Sequence, residues 1–392
     1  MHQTICSIRV IVLWAAGLGA AVQFSKLSLF LPELELLYPN AGITLGLLVS
    51  IISLNGALFG LIAGALAARV GLRQLLIFGL VLGATVSLVQ SYQLSLQVFL
   101  LSRVLEGMSH LAIVVSAPTL IALNSSDRYR SVAMTLWGTF FGVAFAMTGW
   151  FGLTLVESRG LSTLFLVHGS IMGSLVLIVV YAIPDNLLAT PSTENDRHFL
   201  LPTNFIASHK RAWTSPFIAA PAAGWLFYTI TFVALLTILP GMMEPEDRAF
   251  TVAALPLASI LSSLTIGILL LRYMTAISVL VIGFSAAILC AVSLFWFPSE
   301  PRLYIALFSA FGLVQGASFA SIPQLNEKGT DQALANGALA QAGNLGNLCG
   351  TPILLGIFLV GGVSAMITVV VMCYVFAINV HSVLAKRRET TV

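Results

Sequence analysis

Long apolar runs, broken by short polar segments, dominate this 392-residue sequence. A helix needs about 20 mostly apolar residues to cross the hydrocarbon core of a bilayer. Twelve runs meet this requirement, and together they predict an all-α polytopic membrane protein with 12 transmembrane helices. The predicted spans, numbered 1 to 12 in chain order, cover residues 8–31, 43–67, 74–92, 96–123, 130–155, 160–183, 214–240, 249–271, 274–297, 302–325, 332–359 and 362–384.

Turn-forming residues separate most of these runs, for example at residues 39–40, 124–127 and 298–302. Two predicted turns, near residues 91–95 and 361–362, carry no charge. The first run, which follows Arg9, is similar to a secretory signal peptide. We expect it to be an uncleaved first helix, because it is long and eleven further spans follow it.

Composition narrows the class of protein. Hydrophobic residues make up 58% of the chain and charged residues only 8%, whereas a soluble domain carries about 25% charged residues. This excludes a soluble enzyme, a nucleic-acid binder and a disordered chain. The net charge of +3 is too small to indicate a nucleic-acid partner. The four cysteines form no close-spaced motif, so we expect neither a disulfide framework nor a metal site.

Lysine and arginine are distributed unevenly over the predicted loops. With the N-terminus inside, 13 of the 18 basic residues lie in loops or at span ends on the cytoplasmic side, 3 lie on the outside and 2 lie in the interior of spans. Cytoplasmic loops of membrane proteins carry such an excess. We therefore expect a multi-pass protein of the inner or plasma membrane with both termini in the cytoplasm. The 13 residues are Arg9, Arg69, Arg73, Arg128, Arg130, Arg197, Lys210, Arg211, Arg272, Lys328, Lys386, Arg387 and Arg388.

A polar stretch between spans 6 and 7 predicts three parts of the chain. These are an N-terminal six-helix bundle at 1–183, a cytoplasmic linker at 184–213 and a C-terminal six-helix bundle at 214–392.

Matching residues recur between the two halves of the chain at offsets of 203 to 209. The order of the matches indicates two homologous halves in the same orientation, a parallel repeat known in transporter folds. The matched pairs are Gly64 and Gly267, Gly107 and Gly316, Pro118 and Pro323, Asp127 and Asp331, and Gly138 and Gly343.

The loop after span 2 resembles the cytoplasmic motif of the major facilitator superfamily, Gly-x-x-x-Asp-Arg-x-Gly-x-Arg/Lys. The matching positions are Gly64, Arg69, Gly71 and Arg73, while Ala68 stands at the acidic position. This resemblance implies that the glycines let helices 2 and 11 approach closely and that the arginines anchor a cytoplasmic gate. The alanine leaves the charge relay of that gate incomplete.

Span 4 resembles the same family in its Arg-x-x-Gln/Glu-Gly motif, which stands here as Arg103, Glu106 and Gly107. Span 5 lacks the proline of the family's proton-antiporter motif, and this counts against drug efflux. The resemblance covers the whole chain and implies two pseudo-symmetric six-helix bundles. It also implies secondary transport by alternating access, as a monomer without a cofactor.

Three ionisable residues lie at membrane depth, namely Lys26, Arg103 and Glu106. Each costs about 3 kcal/mol to insert, so such residues are commonly functional. Arg103, Glu106 and His110 follow one face of span 4 at i, i+3 and i+7. We predict that Glu106 and His110 couple transport to protons. The alternative is a static Arg103–Glu106 pair with a packing histidine.

Lys26 shares a face of span 1 with Gln23. Because Glu106 has Arg103 beside it, we expect Lys26 to lack an acidic partner. The buried charges sum to +1, which favours an anionic substrate bound by Lys26, Arg103 and Gln23. The alternative is that Lys26 extends to the outer interface and binds nothing.

The second half offers neutral polar groups in place of charges. Gln341 and Asn344 lie on a polar stripe of span 11, where amides can bind a ligand or join helices. Tyr228 on span 7 is a candidate to line the cavity. We expect His168 on span 6 to be a packing residue.

These features predict a secondary transporter of a small organic or inorganic anion, coupled to protons. The alternative is proton-driven efflux of an amphipathic drug or secreted metabolite, and a third hypothesis is a sensor or scaffold without net transport. No enzymatic constellation and no nucleotide-binding loop are recognisable, so we expect neither catalysis nor ATP-driven transport. The expected partners are the substrate, protons and the lipid bilayer.

Overall fold

The computed structural model describes residues 2–60, 70–92, 94–183 and 202–390, and helices are the only regular elements in these ranges. Side chains are described except at 2–6, 127–132, 202–205 and 329–330. The helices of the first half are α1 (His2–Ser28), α2 (Leu31–Leu37), α3 (Thr44–Ser50), α4 (Leu54–Phe59), α5 (Leu72–Gln90), α6 (Leu96–Asn124), α7 (Asp127–Gly138), α8 (Phe140–Met147), α9 (Leu153–Arg159) and α10 (Leu161–Ala182).

The second half is also helical throughout its described residues. Its helices are α11 (Pro202–Thr214), α12 (Ala219–Ile238), α13 (Pro245–Ser262), α14 (Ile268–Leu271), α15 (Ala276–Ser293), α16 (Pro301–Leu325) and α17 (Gly329–Glu389). Helix α11 lies in the stretch that we predicted as a polar linker, and its amphipathic sequence explains why a search for long apolar runs missed it.

Ten helical stretches of the described ranges are long and apolar enough to cross a membrane. The last of them, within α17, covers 59 residues but is interrupted at Gly362, where φ is 67° and ψ is −166°. This break falls at the predicted turn between spans 11 and 12. A shorter apolar stretch, Thr44–Phe59, leads into the undescribed residues 61–69. The helices are therefore consistent with the predicted count of twelve.

Two compact units emerge from the contacts between residues. Unit 1 contains Met1–Leu27 and Ile62–Asn204, and unit 2 contains Ser28–Leu61 and Phe205–Val392. Helices α3 and α4 thus group with the second half of the chain, because they pack on α17. The predicted boundaries at 183 and 213 remain a prediction.

Apolar side chains fill the interior of each unit. In unit 1, Leu13, Leu80, Ile113 and Met172 meet from α1, α5, α6 and α10, and all four are fully buried. In unit 2, Ala222 of α12 and Ala338 of α17 lie in a corresponding core. The four-helix interior of unit 1 also surrounds the ionisable residues described next.

Candidate functional site

Three charged side chains form one ion-paired cluster inside unit 1. Lys26 of α1 and both Arg103 and Glu106 of α6 have no exposed side-chain surface. The Lys26 Nζ atom lies 2.6 Å from Glu106 Oε1, and Arg103 Nη1 pairs with Glu106 Oε2. We call these residues the charged triad. Our prediction that Lys26 lacks an acidic partner was wrong, because the two oxygens of one carboxylate bind one cation each.

The triad keeps the predicted charge of +1, because its two cations share a single carboxylate. Lys26 ends inside the protein and not at a lipid interface, so the alternative of a side chain that reaches the membrane surface does not apply. Burying a charge is costly unless it is paired and hydrogen-bonded. The neighbouring helices α5 and α10 supply these bonds.

Gln90, the last residue of α5, forms hydrogen bonds with both Lys26 and Glu106 of the triad. Its Oε1 accepts a hydrogen bond from Lys26 Nζ at 2.8 Å, and its Nε2 donates to Glu106 Oε2 at 3.0 Å. The same Nε2 donates to Ser102 Oγ at 3.0 Å. Ser87, one turn earlier, accepts from Lys26 Nζ at 2.9 Å. Sequence reasoning missed both residues, since an uncharged side chain near the end of an apolar span carries no signal of its partner.

Helix α10 closes the cluster with an aromatic ring and a histidine. The Lys26 Nζ atom lies 5.2 Å from the centre of the Phe165 ring, within the range of a cation–π interaction. His168 Nδ1 lies 2.8 Å from Ser87 Oγ and 3.4 Å from Lys26 Nζ. We expected His168 to be a packing residue, but it is a buried polar member of the cluster.

His110, the predicted proton carrier on α6, lies outside the triad. Its Nδ1 is 3.0 Å from the carbonyl oxygen of Ala20, and its ring packs edge-on against Phe24 with centroids 5.0 Å apart. Gln23 is buried beside the triad, where its Nε2 donates to Ser109 Oγ at 2.8 Å and its main-chain carbonyl oxygen accepts from Arg103 Nη1 at 2.8 Å. The structure thus brings Gln23 and the triad together, and places His110 on the next turn.

The neutral candidates of the second half lie in unit 2. Gln341 Nε2 donates to the carbonyl oxygen of Ala57 at 3.0 Å, and Asn344 Nδ2 donates to that of Ala340 at 2.9 Å. Tyr228 is buried and stacks on Trp225 with centroids 4.5 Å apart. The Gln341 contact joins α17 to α4, whereas these contacts of Asn344 and Tyr228 lie within α17 and α12, and a substrate role for these three residues stays a prediction.

The predicted cytoplasmic motif is only partly described. Gly64 and Arg69 lie outside the described residues. Gly71 has a φ of 93°, which favours glycine, and it precedes α5. Arg73 donates to the carbonyl oxygens of Ile183 at 2.6 Å and Val180 at 2.9 Å. A cation at these carbonyls stabilises the C-terminal end of α10.

The described residues thus combine ten helical stretches able to span a membrane with a buried ion-paired cluster, an arrangement typical of membrane transport proteins. The profile of the Major Facilitator Superfamily matches residues 13–351. The chain therefore belongs to this superfamily of multi-span transporters, and we assign it to transport and not to enzyme catalysis.

Three curated relatives match parts of the chain. The inner membrane transport protein YajR of Escherichia coli (strain K12) is 26% identical over 176 residues, 43% of this chain and 38% of YajR. The methylenomycin A resistance protein of Bacillus subtilis (strain 168) is 28% identical over 202 residues, 48% of this chain and 43% of the relative. The 4-hydroxybenzoate transporter PcaK of Pseudomonas aeruginosa is 24% identical over 247 residues, 55% of each chain.

These alignments span no more than 55% of any of the three relatives. Among solved structures, the human organic anion transporter MFSD10 (TETRAN) is similar, with a TM-score of 0.69 and 17% identity. The similarity covers 95% of this chain and 98% of MFSD10, and it supports the assignment of the fold.

Proposed function

We propose that the protein is a proton-coupled transporter of a small anion, most simply an organic carboxylate. The observation that carries this proposal is the charged triad, in which two buried cations share one carboxylate. An anionic substrate would pair with these two cations. The names of PcaK and MFSD10 refer to an aromatic carboxylate and to organic anions, which agrees with this choice of substrate class.

The proposed coupling follows from the position of Glu106. Its carboxylate occupies the place between Lys26 and Arg103 that a substrate carboxylate would take. A proton on Glu106 removes its charge and leaves both cations free to bind an anion. Proton and anion therefore bind together and move in the same direction, as symport.

Substrate access requires a second conformation, because the side chains of the triad are fully covered in this one. The proposal includes alternating access, in which the triad is exposed first to one side of the membrane and then to the other. It also includes the expected inner-membrane location, cytoplasmic termini and monomeric state. Gln23, buried beside Arg103, would contact the bound anion, and the substrate roles predicted for Gln341, Asn344 and Tyr228 belong to the proposal as well.

The test uses purified protein in liposomes that contain a trapped pH-sensitive dye. 4-Hydroxybenzoate, benzoate and small aliphatic carboxylates are added in turn, followed by a panel of amphipathic drugs. We expect a carboxylate-dependent internal acidification that Glu106→Gln abolishes and that Lys26→Ala and Arg103→Ala each reduce. Unchanged transport in both the Lys26→Ala and Arg103→Ala variants would contradict the proposal.

A second candidate function is proton-driven efflux of an amphipathic compound. It is favoured by the similarity to the methylenomycin A resistance protein and by a run of packed aromatic rings along α7 and α8, where Trp137 stacks on Phe140 and Phe141 packs on Phe145. A response to the drugs alone, with full tolerance of Lys26→Ala, would support this second function.

A further inference from the structure

Two histidines bind adjacent carbonyl groups of α1 from two different helices. His168 of α10 places Nε2 3.0 Å from the carbonyl oxygen of Gly19, and His110 of α6 places Nδ1 3.0 Å from that of Ala20. In each contact the ring nitrogen must be the donor, because a carbonyl oxygen only accepts. Each histidine therefore has one nitrogen committed to α1.

The two histidines differ in the surroundings of the ring nitrogen that does not bind α1. With a proton on Nε2, the neutral ring of His168 presents an unprotonated Nδ1 as an acceptor. This Nδ1 faces Ser87 Oγ at 2.8 Å and Lys26 Nζ at 3.4 Å. His110 has no contact with Lys26 among the described interactions, and its ring packs on Phe24. Two histidines with matched anchors on α1 thus differ in their contact with the triad.

The hydrogen bonds of Lys26 show why this acceptor matters. An ammonium group has three N–H donors, and Lys26 faces the oxygens of Glu106, Gln90 and Ser87 at 2.6, 2.8 and 2.9 Å. Ser87 has one hydroxyl hydrogen, which is directed to the Phe165 carbonyl oxygen at 3.0 Å or to His168. In either arrangement a lone pair of Ser87 or of His168 faces Lys26.

We propose that His168 is a positioning residue of the site, which as a neutral imidazole holds the Lys26 ammonium, directly or through Ser87, against Glu106. The charged groups around it are Lys26 from α1 and Arg103 and Glu106 from α6, while α5 contributes the neutral Ser87 and Gln90. A second proton on the ring would point an N–H at the ammonium, so only the neutral ring fits this place. The proposal deepens the proposed function, because it concerns the same site.

Two substitutions test the roles of the two ring nitrogens of His168 one at a time. In His168→Asn, the short amide places an oxygen near the position of Nδ1 and retains the acceptor for Lys26, but it does not reach Gly19. In His168→Gln, the longer amide reaches towards Gly19 and gives up the acceptor. His110→Gln is the matched control, since it changes the equivalent anchor on α1 away from the triad.

The first readout is chemical labelling of Lys26 with an amine acylating reagent at a fixed mildly alkaline pH, measured by mass spectrometry. The chain has only three other lysines, Lys210, Lys328 and Lys386, and all three are exposed, so they serve as internal standards. We expect His168→Gln to raise the relative labelling of Lys26 by about tenfold, in line with the loss of a buried hydrogen-bond acceptor. His168→Asn and His110→Gln should stay close to wild type.

Equal labelling in His168→Asn and His168→Gln, or a similar rise in His110→Gln, would overturn the proposal and leave His168 as an anchor of α1 only. Ser87→Ala gives a second measurement should either variant at 168 fail to fold, and it should also raise the labelling of Lys26. Unchanged labelling in Ser87→Ala would count against the proposal.

A binding assay separates this inference from the proposed function. The affinity of the detergent-purified protein for 4-hydroxybenzoate or benzoate should fall in His168→Gln and be retained in His168→Asn. If the wild-type protein binds neither anion, the proposed function fails, while the labelling experiment still decides whether His168 positions Lys26.

Discussion

At the scale of residues, a single carboxylate stabilises the two buried cations of unit 1. Glu106 pairs with both Lys26 and Arg103, so its removal leaves two buried cations without an anion. Loss of Lys26 instead leaves a neutral Arg103–Glu106 pair. Removing one partner of a buried ion pair costs about 3–5 kcal/mol, because the remaining charge is uncompensated.

We therefore predict that Glu106→Leu lowers the free energy of unfolding by about 3–5 kcal/mol, and that Lys26→Met lowers it by clearly less. Thermal unfolding of the two variants in the same detergent measures the difference. If the two variants lost the same stability, or if Lys26→Met lost more, Glu106 would not be the carboxylate that stabilises both cations.

At the scale of elements, close helix contacts depend on particular glycines. A Cβ atom at Gly46 of α3 would lie 2.8 Å from the Cα atom of Pro352 in α17. Real side chains do not approach backbone atoms so closely, so α3 and α17 would have to move apart. Gly173 of α10 offers a contrast, since a Cβ atom there has no neighbour within 4 Å.

We predict that Gly46→Ala destabilises the protein by about 1–3 kcal/mol, as overpacking does. Gly173→Ala should be neutral or stabilise the protein by up to about 1 kcal/mol, because glycine is costly inside a helix. The melting temperatures of both variants in one detergent test this difference. A stabilising Gly46→Ala would mean that α3 and α17 do not pack as closely as described.

The turn inside α17 depends on a glycine that is required for its backbone conformation and not for close packing. Gly362 adopts φ 67° and ψ −166°, a conformation almost restricted to glycine. We expect Gly362→Ala to cost about 1–3 kcal/mol of stability, whereas Gly138→Ala, at the end of α7 with no neighbour within 4 Å, should be tolerated. Equal melting temperatures for the two variants would contradict the break at Gly362.

At the scale of the whole molecule, the sequence predicted the helical membrane class and the presence of buried charges, and the ten apolar stretches of the described residues are consistent with the twelve predicted spans. Long apolar runs give the class, the predicted turn near residues 361–362 gives the break in α17, and Lys26, Arg103 and Glu106 are conspicuous because charge is rare at membrane depth. Their partners were less predictable. Gln90 and His168 reach the triad only because α5 and α10 pack beside α1 and α6. The apolar pattern of a single helix does not show which other helices it will contact.

The distribution of basic residues makes a separate prediction about topology. With 13 basic residues assigned to the cytoplasmic side and 3 to the outside, both termini should be cytoplasmic. Fluorescent-protein and alkaline-phosphatase fusions at the C-terminus test this directly, since the first is active inside and the second outside the inner membrane. A phosphatase-active C-terminal fusion would contradict the predicted orientation.

The central claim is that an anion and a proton bind together at the charged triad. The most direct test is the affinity of purified wild-type and Glu106→Gln protein for a carboxylate such as 4-hydroxybenzoate between pH 5.5 and 8.5, ~3 pH units. If Glu106 must take up one proton when the anion binds, the wild-type dissociation constant rises about tenfold for each pH unit over which Glu106 is ionised in the free protein. Glu106→Gln mimics the protonated residue and should bind tightly at every pH. A wild-type affinity that does not depend on pH, or an unchanged pH dependence in Glu106→Gln, would contradict the claim.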